Sequence, residues 1–186
     1  GEFRNGGMKN GTYRNKDNSL IARGEFSGYL QSGWGKYRLD KDTINGYGPG
    51  FREYEGGFFG SRHHGKGVLR ESRGPGWPLI VTETEFRSGI ACGSGVSSTN
   101  YPDGEVWTEQ GEFGVFDELS ERWGLLEGNL TITQDTEKYV YKNLKLNTGT
   151  NGDYYFSAVS YTHLRAHETD SYLVCRLLLE KKQSTT

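Results

Sequence analysis

The chain has 186 residues with 28 glycines, 12 tyrosines, 9 phenylalanines and 4 tryptophans, yet only 33% of its residues are hydrophobic, which excludes a thick two-layer core. A net charge of −2 argues against a general electrostatic binder of nucleic acid or anionic membrane. No apolar run approaches the length of a membrane-crossing helix and no signal peptide is visible, while Cys92 and Cys175 supply no disulfide framework, so an intracellular, cytoplasmic home is expected.

In chain order, Asn5-Gly6 is a two-residue hairpin signal, because both residue types tolerate positive φ. Residues 1–22 form a first, short hairpin unit, and Arg23–Leu39 a second. Asp40–Arg52, with Gly46-Tyr47-Gly48-Pro49-Gly50, reads as an inserted loop; it lacks the Lys-Ser/Thr and helix of a phosphate-binding loop. Tyr54–Leu69 is the best-formed unit: Tyr54, Gly56 and Phe58 alternate with Glu55 and Gly57, the period of a strand. Glu71–Trp77 reads as a second insertion, and Thr82–Val96 as a fourth unit turning at Ser88-Gly89. Asp103-Gly104 is another hairpin signal. Trp107–Leu126 is a divergent fifth unit, Leu130–Leu146 alternates as two further strands, and Tyr154-Tyr155-Phe156 is a short last strand. No stretch before residue 159 keeps a helical period, so the body is expected to be all-β.

One internal spacing recurs. Phe26 is followed at seven and nine residues by Gly33 and Gly35, Phe58 by Gly65 and Gly67, and Phe86 by Gly93 and Gly95. Gly1-Glu2-Phe3 with Asn10-Gly11-Thr12-Tyr13, and Gly111-Glu112-Phe113 with Trp123-Gly124, are weaker copies. Such self-similarity calls for a repeat architecture. With Tyr54-Glu55-Gly56-Gly57-Phe58, the Gly-x-Gly pairs and the linker Tyr101-Pro102-Asp103-Gly104, residues 1–132 resemble about five repeats of the MORN (membrane occupation and recognition nexus) family. The anchors Phe3, Phe26, Phe58, Phe86 and Phe113 lie 23, 32, 28 and 27 residues apart, so all gaps after the first call for longer connecting loops. Two positions depart from the pattern: Thr84 stands where a glycine is expected and Ala22 where a tyrosine is expected. The spacing further predicts that bare positions such as Gly65 and Gly67 make room for rings of neighbouring hairpins, in an elongated single sheet of stacked antiparallel hairpins.

Residues 133–158 are expected to add strands or a decayed repeat. Glycine vanishes after Gly152, and residues 159–182 resemble one translated frame of a sequencing-library adapter. On that resemblance, 159–186 is an artefact tail, His163, His167 and Cys175 carry no role, and a helix over Tyr172–Lys182 would belong to the tail rather than the fold. The chain opens at Gly1 inside a repeat and its methionine is Met8, so it is expected to be a piece of a longer protein.

Little catalytic chemistry is legible. His63 and His64 are adjacent, so on a strand they face opposite sides and cannot easily share a metal ion; a solvated turn is the expectation. Glu25, Glu85 and Glu112 recur at one repeat position. Paired carboxylates could hydrolyse glycosides, but regular recurrence reads as a solvated strand face. No catalytic, cofactor or metal residue is expected. What the MORN resemblance implies is a non-catalytic scaffold whose trough takes a protein partner (a peptide or an amphipathic helix), associates with copies of itself, or sits at a membrane surface, with no nucleic acid involved. Phe26, Phe58 and Phe86 are the partner-binding candidates. Two alternatives remain open: a phosphoinositide-binding module using Arg62, His63, His64 and Lys66, and the regulatory array of a larger lipid kinase or lysine methyltransferase.

Overall fold

The computed structural model describes residues 1–5, 7–16, 20–28, 30–41, 49–117, 122–148, 154–164 and 177–178. These residues form one open antiparallel sheet in which the strands from the first to the twelfth pair in sequence order, while the thirteenth pairs back with the eleventh and the fourteenth with the twelfth. Among them no helix is long and apolar enough to cross a membrane.

The strands come as hairpins. β1 (Glu2–Arg4) and β2 (Gly7–Arg14) flank Asn5, whose φ is 52°, and the Asn5-Gly6 turn lies between paired Arg4 and Gly7. Gly6 itself lies outside the described residues. β3 (Leu20–Gly28) pairs with β4 (Leu30–Lys41), β5 (Gly50–Phe59) with β6 (Arg62–Ser72), and β7 (Leu79–Arg87) with β8 (Ile90–Asn100). Two-residue turns with positive φ at both positions close β5/β6 at Gly60-Ser61 and β7/β8 at Ser88-Gly89, as the right-handed strand twist requires. β9 (Val106–Asp117) and β10 (Arg122–Gln134) form the fifth hairpin. The Asp103-Gly104 signal lies in a five-residue turn before it, where Tyr101 N–H donates to Glu105 O at 2.9 Å.

β11 (Glu137–Thr148) follows, and its far edge is covered end to end by β12 (Tyr154–Ser157) and β13 (Ser160–Leu164). The stretch 160–164 is therefore strand. The helix expected over Tyr172–Lys182 lies outside the described residues except at Leu177–Leu178. There it is replaced by a two-residue strand, β14, because the open backbone of β12 supplies partners at Tyr155 and Phe156.

The three well-spaced units share one register. Phe26, Phe58 and Phe86 pair with Gln31, His63 and Ala91 beside the turn; Arg23, Glu55 and Glu83 pair with Lys36, Val68 and Val96 farther along. Three residues on the outgoing strand thus match five on the return, so each return strand carries a bulge at the same place. Gly33, Gly65 and Gly93 sit in that bulge with φ of 81°, 70° and 75°. The ladders from β4 to β5, β6 to β7 and β8 to β9 carry no bulge, and in them Gly33 pairs with Phe58, Gly65 with Phe86 and Gly93 with Phe113. A further tie recurs: Ser61 N–H donates to Gln31 O at 2.8 Å and Gly89 N–H to His63 O at 3.0 Å, joining each turn to the preceding unit.

The two glycines of each unit have different jobs, and neither is to admit a ring from the next hairpin. A Cβ on Gly65 or Gly93 would meet open space, so glycine serves there to reach the left-handed region. A Cβ on Gly67 would lie 2.5 Å from Cζ of Tyr54, a ring of its own hairpin. The same space is filled over Gly35 by the Gln31 amide, which donates to Arg23 O at 2.9 Å, and over Gly95 by Thr84. The departures from the pattern therefore compensate: where Ala22 or Thr82 stands in the place of Tyr54, Gln31 or Thr84 supplies the missing bulk.

The expected insertions also shrink. β4 continues to Lys41 and β5 begins at Gly50, with Asp40 paired to Phe51 and Lys41 to Gly50; residues 42–48 lie outside the described residues. β6 likewise runs to Ser72. Longer strands rather than longer loops absorb much of the extra pitch, because tertiary partners hold them: the Arg38 guanidinium lies 4.6 Å from the Phe51 ring centroid and Arg52 pairs with Glu71 at 2.8 Å.

These two glycine roles are separable by denaturation. Gly65→Ala is expected to cost about 1–2 kcal/mol of unfolding free energy, and Gly65→Asn distinctly less, because asparagine tolerates the left-handed region. Gly67→Ala should cost about 1–3 kcal/mol through overpacking against Tyr54, and Gly67→Asn more again. Equal responses at the two positions would contradict the assignment.

Candidate interaction surface

Phe58 and Phe86 are 5% and 2% exposed, and Phe26 is half-buried. Phe58 and Phe86 point to one side of the sheet, where both pack against the ring of Tyr54. Tyr54, fully buried, meets Phe58 edge-on at 5.1 Å and Phe86 edge-on at 5.2 Å and stacks on His63 at 3.8 Å between centroids. Phe86 also meets Trp123 at 6.4 Å, linking β7 to β10. Phe58 and Phe86 are therefore corrected from partner-binding candidates to core. A single layer short of aliphatic residues gains most by burying its rings against each other, at about 0.5–1.5 kcal/mol per aromatic pair beyond area burial.

The four cationic candidates do not converge. Arg62, His64 and Lys66 are exposed, whereas His63 turns inward into the ring cluster. The adjacent histidines do face opposite sides, but on strand β6 rather than in a solvated turn. Burial, with a smaller contribution from Arg52, lowers the His63 pKa to about 4, so at neutral pH the ring is uncharged and adds no positive charge for a phosphate. Burial likewise raises the Tyr54 phenol to about 12, and its hydroxyl donates to Gly57 O at 3.1 Å. Among the described residues no three His, Cys, Asp or Glu side chains gather as metal ligands. Cys92 is half-buried, as its small side chain beside Gly93 suggests.

The opposite side of the sheet carries the accessible chemistry. Unbroken pairing sets Lys36, Glu55, Val68, Glu83, Val96 and Gln110 in one row across β4 to β9. A neighbouring row places Arg38, Glu53 and Arg70 side by side, and Glu53 collects Lys36 at 3.1 Å, Arg38 at 3.8 Å and Arg70 at 3.8 Å. Lys36 also reaches Glu55 at 3.5 Å. Over these rows lies a groove of about 900 Å³. Its apolar members are Trp34 at 58% exposure, Val96 at 39% and half-buried Val68; its carboxylates are Glu55, Glu83, Glu85 and Glu112. Glu112 accepts a hydrogen bond from the Ser94 hydroxyl. Glu83 and Glu85 have no ion-pair partner among the described residues. Glu85 and Glu112 thus lie on an open strand face, as their recurrence suggests, while Glu25 projects over Gly33. Trp34, Val68 and Val96 were not singled out in the sequence; their shared alternation with the glutamates was the available signal.

A smaller cavity of about 430 Å³ lies on the ring side, where Tyr37, Leu39, Trp77, Pro78 and Ile80 surround the Arg52–Glu71 pair. Comparison of the chain with protein-family models and with curated proteins finds no match.

His63 makes stability acid-sensitive. Its folded pKa of about 4 lies below the ordinary value of 6.5, so between those values the unfolded chain binds more protons. Stability is therefore full above about pH 6.5 and declines as pH falls toward 4, by on the order of 2–3 kcal/mol. Glu109, whose carboxyl burial pushes upward, works in the opposite direction. Urea denaturation of wild type and His63→Gln at pH 7.5 and 4.5 isolates the histidine: the variant should lose markedly less stability on acidification, and an equal loss would refute the assignment.

Proposed function

We propose that this chain is a non-catalytic interaction scaffold of the MORN-repeat type, holding a peptide or an amphipathic helix of a partner along the charged face. What supports the repeat reading is the recurrence, in three units, of the left-handed glycine with a phenylalanine opposite it, and, at two of the seams, of the tie between a turn and the preceding unit. The observation that carries the function is the groove itself. It crosses β4 to β9, and it leaves Trp34 and Val96 open to solvent. The rings first favoured as contacts become the rigid support of that face.

A partly exposed tryptophan among rigid strands is the kind of side chain that carries binding energy. Selection of a random-peptide display library on the immobilised chain is therefore expected to enrich peptides that compete for one surface. Trp34→Ala/Val96→Asp should weaken them at least tenfold while keeping the wild-type melting transition. Enrichment of peptides indifferent to that variant, or no enrichment, would count against a groove-based scaffold.

A further inference from the structure

The groove has a charge and a pitch, and both constrain what fits it. Four carboxylates, Glu55, Glu83, Glu85 and Glu112, line it against two cations, Lys66 and Arg70, and Arg70 is already engaged by Glu53 at 3.8 Å. Glu83 and Glu85 stand two residues apart on β7, in the middle of the groove, with no ion-pair partner among the described residues. Lys66 lies directly across from Glu85 in the β6–β7 register, which leaves Glu83 and a net excess of carboxylates for an acidic or phosphate-bearing occupant to meet.

The pitch comes from the register. In the row of Glu55, Val68, Glu83 and Val96, carboxylate and valine alternate from strand to strand. Strands lie about 4.8 Å apart, so the two valines, like the two glutamates, are separated by about 9.6 Å along the array axis. Side chains of a β-strand return to one face at about 6.7 or 13 Å, neither of which matches. An α-helix returns to one face every seven residues, about 10.5 Å, which keeps step with this row over the width of the groove.

We propose that the groove docks an amphipathic helix rich in lysine or arginine, lying across the strands, with apolar side chains over Val68 and Val96 and its cations toward Glu83 and Glu85. This rests on the scaffold reading and adds the chemistry of the partner. Trp34, two residues along β4 from Lys36, flanks the β4 end of the row and supplies a flat apolar contact for the helix terminus.

The test uses the full chain and two labelled synthetic peptides of about 18 residues, leucine at heptad positions and lysine elsewhere in one, glutamate replacing lysine in the other. Fluorescence anisotropy at about 150 mM salt suppresses diffuse attraction. The lysine peptide is expected to bind at least tenfold more tightly than the glutamate peptide, and Glu83→Gln/Glu85→Gln should weaken it about five- to tenfold. Equal binding of the two peptides, or lysine-peptide binding unchanged in that variant, would overturn the cationic partner. If either peptide depends on Trp34 and Val96 in the Trp34→Ala/Val96→Asp variant while charge does not matter, the scaffold reading survives without it. If neither peptide depends on them, both readings fall. Circular dichroism and melting of each variant establish that the sheet is intact.

Discussion

The structure depends on a backbone constraint: in each well-spaced hairpin one glycine must take the left-handed conformation. Gly33, Gly65 and Gly93 allow the return strand to carry two extra residues without breaking the ladder to the next unit. That bulge sets the offset which brings Phe58, Phe86 and Phe113 opposite those glycines. From this register follows the contact between rings of successive units, and from that contact the burial of Tyr54, Phe58 and Phe86 in a protein one layer thick. The ion pairs of the opposite face are secondary. Exposed pairs contribute about 0–1 kcal/mol each, while a buried aromatic side chain removes on the order of 150–250 Å² from water.

The architecture was legible because steric demands of the bulge leave few residue choices. The intervals from Phe26 to Gly33, Phe58 to Gly65 and Phe86 to Gly93 survive in the sequence since a side chain in the left-handed region is strained at any of them. The position of the second glycine was legible too, but its reason was not. What sits over Gly35, Gly67 and Gly95 differs in each unit, being Gln31, Tyr54 and Thr84, and these come from different places in the repeat. Volume was preserved while identity was not, and linear spacing reports identity alone. Strand lengths were misjudged for a similar reason, since glycine and proline near Gly46–Gly50 speak for a loop while Phe51 and Arg52 are held in a strand by partners distant in sequence.

The candidate interaction surface was half legible. Alternation identifies two faces, but not which of them closes on itself. Aromatic residues suggested a place for a partner; packing makes them their own partners, and the open face is the one whose charges looked merely solvated. His63 illustrates the difficulty. Beside Arg62, His64 and Lys66 it belongs to a basic stretch, yet strand geometry separates neighbours, and burial against Tyr54 takes it out of the charged set.

The hydrogen bonds from Ser61 to Gln31 and from Gly89 to His63 give the array a direction. In each case the carbonyl belongs to the earlier unit and the donor to the turn of the later one. During synthesis, then, a hairpin leaving the ribosome still has an acceptor waiting, and it is completed only when its successor emerges. At these two seams the later hairpin is the clasp on the one before it.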